Sequence, residues 1–322
     1  MKNIFKKIPL VIMAVACVAC QTFRDIEIPE RPDLLVLNGL FSTDSILQVD
    51  ISHSNYILKK AYEEDVSVKT AQVEIFENEE KVDELQLVDN PDYGGWERST
   101  YRSQSGLIPK ADTEYTIKVA APGYEPASAT CYIPKTVAAT DFQYEDKEVV
   151  VGQDYRGTPA SFSFQDEKGV ENYYRIEVYA EIESTYNYGD EQRTEKNNNW
   201  LYVAPKVQDE QKVFDNYPFK IGLYINDLSF DGKNHHMDFF IDATSLEHLF
   251  WDDNQSDRKT KLVVLLKHIS KEHYEYATSA DKQEDLLDDP FSEPIPVTSN
   301  VIGGLGVFAG YSSSTAEVDY IE

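Results

Sequence analysis

Cys17 and Cys20 carry the most legible chemistry in the 322 residues. Lys2, Lys6 and Lys7 stand in front of residues 8–19, an apolar stretch that stops at Cys20-Gln21-Thr22. A basic start, a short apolar stretch and small residues before the stop are the marks of a secretory signal peptide. A thiol at such a stop is the group that takes a diacylglycerol, and cleavage in front of it frees an amino group for a further acyl chain. Cys20, preceded by Val18-Ala19 and followed by a polar stretch, is the expected lipidated residue. Cys17, after Ala14-Val15-Ala16, is the alternative. A spanning helix needs about 20 apolar residues, more than this stretch holds. Several acyl chains attach a protein stably where one is marginal. The expected organisation is a lipoprotein signal peptide over 1–19 and a lipid-anchored tether over 20–33.

The remaining reactive side chains form no recognisable catalytic pattern. His235 and His236 are adjacent in a strand and point to opposite faces, so they do not chelate one ion. His268 and His273 straddle a strand-to-helix junction, and neither a His-Glu-x-x-His nor a paired Cys-x-x-Cys is present. Asp252-Asp253-Asn254-Gln255-Ser256-Asp257 resembles the start of a calcium loop but lacks the Gly at its sixth place and the Glu at its twelfth. Asp89, Asn90 and Asp92 around Pro91 read as a turn. No Gly-x-Ser-x-Gly, Ser-x-x-Lys or phosphate loop occurs, so no catalytic residue, metal or cofactor is expected. Trp96, Trp200 and Trp251 lie at loop–strand edges, where a flat ring stacks on a sugar or a partner side chain. The competing and preferred reading is that each ring covers one end of a core.

Fifty-seven acidic against 30 basic residues give a net charge of −27, or −30 once the three signal lysines leave. Such a charge excludes a nucleic-acid binder, which needs a basic footprint. It also disfavours lying flat on an anionic bilayer, so membrane contact falls to the lipid. After processing, Cys131 is the one cysteine besides the acylated residue. The fold therefore relies on burial and not on disulfides, and a monomer is expected.

Short strands must position whatever chemistry there is. Leu47, Val49 and Ile51 alternate with Gln48, Asp50 and Ser52, the period of a half-buried strand. Val73 and Ile75, then Tyr115, Ile117 and Val119, repeat the pattern, and a strand over 127–133 ends at Pro134. About seven such strands over 34–135 predict an N-terminal β-sandwich resembling immunoglobulin or fibronectin type III modules. Cys131 is expected in its core. Residues 136–322 predict a larger β-sandwich or barrel-like domain. Its strands cover 161–164, 173–182 and 262–266, and 183–199 is a long hairpin loop. A hairpin joins 224–230 to 235–242 through Asp231-Gly232-Lys233-Asn234. Ser270 caps a helix over 270–283 with Tyr274, Ala277 and Ala280 near one face. Gly303, Gly304, Gly306 and Gly310 are costly in a strand unless backbone approaches closely or φ is positive. A bulged, tightly packed terminal strand is preferred over a docking face. The chain is thus expected to be mainly all-β.

The start, Cys20 with Ile26-Glu27-Ile28-Pro29 and Leu35-Val36-Leu37-Asn38-Gly39-Leu40, resembles the opening of the lipoproteins grouped as domain of unknown function 4249. So do Asp231-Gly232-Lys233, Ile269-Ser270 with Tyr274 and Tyr276, and Ser299-Asn300-Val301-Ile302-Gly303-Gly304-Leu305-Gly306-Val307-Phe308. The resemblance implies a Bacteroidota outer-membrane lipoprotein, often encoded beside a TonB-dependent transporter, and the function expected of this chain is that of a non-catalytic accessory to such a transporter in nutrient uptake. It supplies no catalytic residues. Independent glycan or protein binding is one rival, and a hydrolase whose site forms only in three dimensions is another. Asp44-Ser45-Ile46 resembles a periplasmic O-glycosylation sequon of that phylum, with Ser45 the acceptor; a plain turn reads equally well.

Overall fold

Period-two alternation organises the first strands of the protein, seen in a computed structural model. The structure describes residues 32–55, 66–88, 99–151, 155–188, 191–206, 219–250, 257–285, 293 and 295–320. The signal peptide, Cys17, Cys20 and most of the tether lie outside them. Strands β1 (Leu35–Ser42), β2 (Gln48–His53), β3 (Gln72–Glu77), β4 (Glu80–Val88), β5 (Thr100–Arg102), β6 (Thr113–Ala120) and β7 (Ala127–Ile133) follow in order. Leu35, Leu37, Val49 and Ile51 turn inward from β1 and β2, and Tyr115, Ile117 and Val119 from β6. β4 makes the corner: its first part pairs with β3, and Gln86 to Val88 pair with β5. Cys131 is a free thiol at 2% exposure, and burial pushes it well above the usual thiol range. It is a small core residue, as its strand position suggests.

Longer strands follow: β8 (Thr140–Tyr144), β9 (Val149–Val151), β10 (Tyr155–Gln165), β11 (Tyr173–Tyr188), β12 (Glu191–Leu201), β13 (Val203–Pro205), β14 (Leu223–Asn226) and β15 (Asn234–Asp242). After a short helix α1 (Ala243–Glu247) come β16 (Asp257–Ile269), helix α2 (Lys271–Asp285) and β17 (Leu305–Tyr320). A 12-stranded sheet runs β12-β11-β16-β17-β1-β2-β5-β4-β3-β6-β7, with β14 beside β11. A second sheet of five strands runs β13-β15-β10-β8, with β9 on β10. The protein is therefore all-β with two helices, in the sandwich style. Asp33–Asn55 and Lys59–Glu322 form one compact unit.

Strand β17 ties the halves together. Its first part runs parallel to β1 from Val36↔Leu305 to Ser42↔Tyr311, and its second runs antiparallel to β16 from Ile269↔Tyr311 to Thr260↔Tyr320. Phe308 and Val301 thereby enter the apolar cluster built by residues 35–133, while a second cluster gathers residues from Ala139 onward. The glycines permit this. Gly306 has φ 98, and a Cβ there would sit 2.1 Å from the Leu37 carbonyl oxygen. Gly303, at φ 77, would meet the Pro126 oxygen at 2.4 Å. Asn300 locks the entry, donating to Phe308 O at 2.8 Å and accepting from Phe308 N at 3.0 Å. The glycine-rich segment is thus a close-packed strand, the preferred reading of its sequence.

Three expectations change. Residues 183–199 are not a loop: β11 and β12 pair continuously from Val178↔Leu201 to Tyr188↔Glu191. Cross-strand polar pairs carry this ladder, such as Thr185 with Thr194 at 3.2 Å and Lys196 with Glu183 at 3.0 Å, so no apolar alternation was needed. Segments 224–230 and 235–242 do not form a hairpin, because β14 joins β11 in the large sheet and β15 joins β10 in the small one. Helix α2 forms where expected, with Ser270 Oγ accepting from His273 N at 3.4 Å, but it buries His273 and Ser279 more deeply than Tyr274, Ala277 or Ala280.

Candidate functional site

If β1 and β2 send Leu37, Val49 and Ile51 inward, their alternate residues must face the other way. Asn38, Gln48, Asp50 and Ser52 do so, on the floor of a groove of ≈ 660 Å³. Asn38 stands opposite Val307 in β17 and opposite Asp50 in β2, and Asp50 stands opposite Thr100 in β5. One polar row, Asn38, Asp50 and Thr100, therefore crosses three strands, with the buried Val307 of β17 at its end. Thr100 Oγ1 donates to Asp50 Oδ1 at 2.5 Å and orients the carboxylate. Tyr276 of α2, Leu40, Ser67 and Ser99 complete the walls. Ser99 is 2% exposed, and its Oγ has no hydrogen-bond partner among the described residues. Its carbonyl is fixed by Ile51 N at 2.9 Å.

A buried ionic cluster occupies another part of the large sheet. Arg175 in β11 and Lys267 in β16 are directly opposite, a like-charge pairing that costs stability unless an anion intervenes. Glu177 intervenes, with Lys267 Nζ at 2.7 Å from Oε2 and Arg175 Nε at 2.7 Å from Oε1. The Arg175 Nε–H does not aim at the carboxylate, so that contact is ionic and not a hydrogen bond. Arg175 also lies over the Tyr224 ring at 5.0 Å, and Lys267 over Tyr311 at 4.9 Å. Burial lowers the Lys267 pKa despite Glu177. His273, at 2% exposure and with neither ring nitrogen hydrogen-bonded among the described residues, is held neutral, its pKa lowered to about 3 by burial first and then by Arg175 and Lys267. These contacts make the cluster a scaffold beneath α2.

Among the described residues, Asp166, Asp227 and Asp231 form an acidic group, their oxygens within 4.8 Å of one another. Three carboxylates of this kind are hard-cation donors, yet neutral donors already occupy them. Asp166 accepts from Tyr174 Oη at 2.6 Å and Gly232 N at 2.8 Å. Asp227 accepts from Asn172 N at 2.9 Å, and Asp231 from Gly169 N at 2.6 Å. Burial raises the Asp227 pKa. The trio latches the turn after β10 to the turn before β15, which explains why β14 and β15 separate.

The histidines stay dispersed. His235 stacks on Phe230 at 4.0 Å, whereas His236 faces the other way, with Nδ1 3.0 Å from Ser163 Oγ. That Ser–His contact lies across paired strands, with His236 about half exposed. His268 is fixed between Lys135 O at 2.7 Å and Asn172 Oδ1 at 3.0 Å. Trp200 sits on edge strand β12, 49% exposed, edge-on to Tyr179 at 5.2 Å. Trp96, Trp251, Asp89, Asn90, Asp92 and residues 252–256 lie outside the described residues. Ser45 is exposed in the turn between β1 and β2, its Oγ 3.2 Å from Ser42 Oγ. Asn38, Gln48, Asp50, Ser52 and Glu177 gave no signal of their own in sequence: each occupies the polar position of an alternating strand, which reads as solvent-facing. The Asp231-Gly232 turn was visible, but not its tie to Asp166.

No match was found among curated proteins. A family model covers residues 23–317, through most of β17. The chain therefore belongs to the family described as Domain of unknown function (DUF4249).

Proposed function

We propose that the protein is a lipid-anchored, monomeric accessory of the outer membrane that binds in the β1–β2–α2 groove and works beside a TonB-dependent transporter in nutrient uptake, without catalysis or cofactor. The groove carries this reading. Its floor is a fully paired stretch of sheet, and its polar side chains are hydroxyls, carboxamides and one oriented carboxylate, a set suited to holding a ligand. The anchor rests on the basic start and the apolar stop at Cys20, and the transporter on the family resemblance. A tethered protein meets its neighbour at high effective concentration, so a weak contact suffices.

Deleting the gene tests the role. Uptake of one nutrient falls and is restored by the wild-type protein, but not by the Cys20→Ala form. Unchanged uptake of every nutrient that the neighbouring transporter carries contradicts the accessory role.

A further inference from the structure

The side chains of the groove narrow its ligand, an inference that rests on the groove being the binding site. Neither neighbour of β1 nor of β2 is missing: β1 lies between β17 and β2, and β2 between β1 and β5. An extended peptide cannot add itself as a strand there, because the backbone groups are already paired. Recognition falls to side chains.

Those side chains are Asn38, Gln48, Asp50, Ser52, Ser67 and Ser99, and no Lys, Arg or His is among the described lining residues. An anionic ligand would meet no counter-charge from the described lining residues and would approach a chain of net charge −27. The one carboxylate among the described lining residues, Asp50, already accepts a hydroxyl, from Thr100 Oγ1 at 2.5 Å. Carboxamides both donate and accept, as hydroxyl groups of a ligand do. The aromatic Tyr276 and the 48% exposed Leu40 add apolar surface beside the polar row. Polar groups in a row across three strands, with an aromatic at the wall, match a ligand whose edges are hydroxyls and whose faces are C–H. We infer that the groove binds a neutral, hydroxyl-rich ligand of oligosaccharide type. Asn38 and Gln48 are exposed hydrogen-bonding groups in it, and Asp50, beside Thr100, accepts ligand hydroxyls.

The lipidated full-length protein, purified in gentle detergent, is titrated by calorimetry with maltohexaose, mannohexaose and xylohexaose. Hexagalacturonate and chitosan hexamer serve as acidic and basic counterparts. At least one neutral hexamer binds, and both charged hexamers bind at least tenfold more weakly. Asn38→Ala and Gln48→Ala each weaken binding about three- to tenfold, the loss of one or two hydrogen bonds. Tyr276→Ala weakens it as well, while Trp200→Ala leaves it unchanged. Asn38 and Gln48 are exposed, so their loss does not threaten the fold. No heat with any of the three neutral hexamers overturns the inference. So does preference for a charged hexamer, or neutral binding that survives both Asn38→Ala and Gln48→Ala. The accessory role stands or falls separately: a protein retained by a transporter but silent to neutral hexamers loses only the ligand class, and a binder that has no effect on uptake loses only the role.

Discussion

Replacing Glu177 by glutamine keeps the side-chain shape and deletes one charge, which isolates what that charge does. Glu177 is 3% exposed, and the Lys267 and Arg175 side chains that it bridges are 13% and 23% exposed. In Glu177→Gln the two cations still face each other across β11 and β16 but lose the anion between them. Breaking a buried ion pair from one side typically costs about 3–5 kcal/mol. The partial exposure of Arg175 and Lys267 lets water and Lys267 deprotonation absorb part of that, so about 2–3 kcal/mol is expected. For a chain of this size, that lowers the melting midpoint by roughly 4–10 °C. Circular dichroism at 218 nm against temperature, with urea titration for the free energy, reads it. The double variant Glu177→Gln/Lys267→Met removes one stranded cation and should recover more than half of the loss. A single-variant loss under about 1 kcal/mol, or a double variant no more stable than the single, would refute the claim that Glu177 neutralises a like-charge pair.

Other consequences follow from named contacts. The His273 pKa is lowered from its ordinary 6.5 to about 3, so the folded state binds fewer protons than the unfolded one between those values. Its stabilising contribution is complete above about pH 6.5 and is lost as pH falls toward 3, by roughly 1.4 kcal/mol for each pH unit crossed. His273→Phe should flatten the urea midpoint between pH 6.5 and 4, and an unchanged acid slope contradicts the assignment. Gly306→Ala forces a Cβ within 2.1 Å of Leu37 O at φ 98 and should cost about 3 kcal/mol or more, measured by urea unfolding; a loss below about 1 kcal/mol shows that β1 and β17 can part cheaply. Asp166→Ala strips an acceptor from Tyr174 Oη and Gly232 N and should cost about 1–3 kcal/mol, with local amide exchange rising at Gly232. Cys20→Ala abolishes fatty-acid labelling and leaves the circular dichroism spectrum unchanged; label that persists moves the site to Cys17.

Local patterning made much of the fold legible. The alternating residues of β2, β3 and β6 each bury one face against a single core, and that is what period two reports. Ser270 before α2 worked as a helix start because its side chain and carbonyl both serve the first turn. What stayed hidden depends on partners distant in sequence. The polar stretch of β12 reads as a loop until β11 supplies its cross-strand pairs. The parallel pairing of β1 with β17 joins residues some 270 positions apart, and no local period encodes it. Segments 224–230 and 235–242 look like a hairpin because turn chemistry at Asp231-Gly232 is local, whereas their pairings with β11 and β10, and the tie of Gly232 to Asp166, are distant in sequence. The candidate site was illegible for the same reason. Asn38, Gln48 and Asp50 are ordinary solvent-side residues until α2, Ser67 and Ser99 wall them in.

Affinity purification of the full-length protein from native outer membranes in gentle detergent, followed by mass spectrometry of what it retains, tests the central claim most directly. Retention of a TonB-dependent transporter, together with an acyl-modified Cys20 on the protein itself, is the expected result. A protein that migrates alone and carries no lipid contradicts the claim.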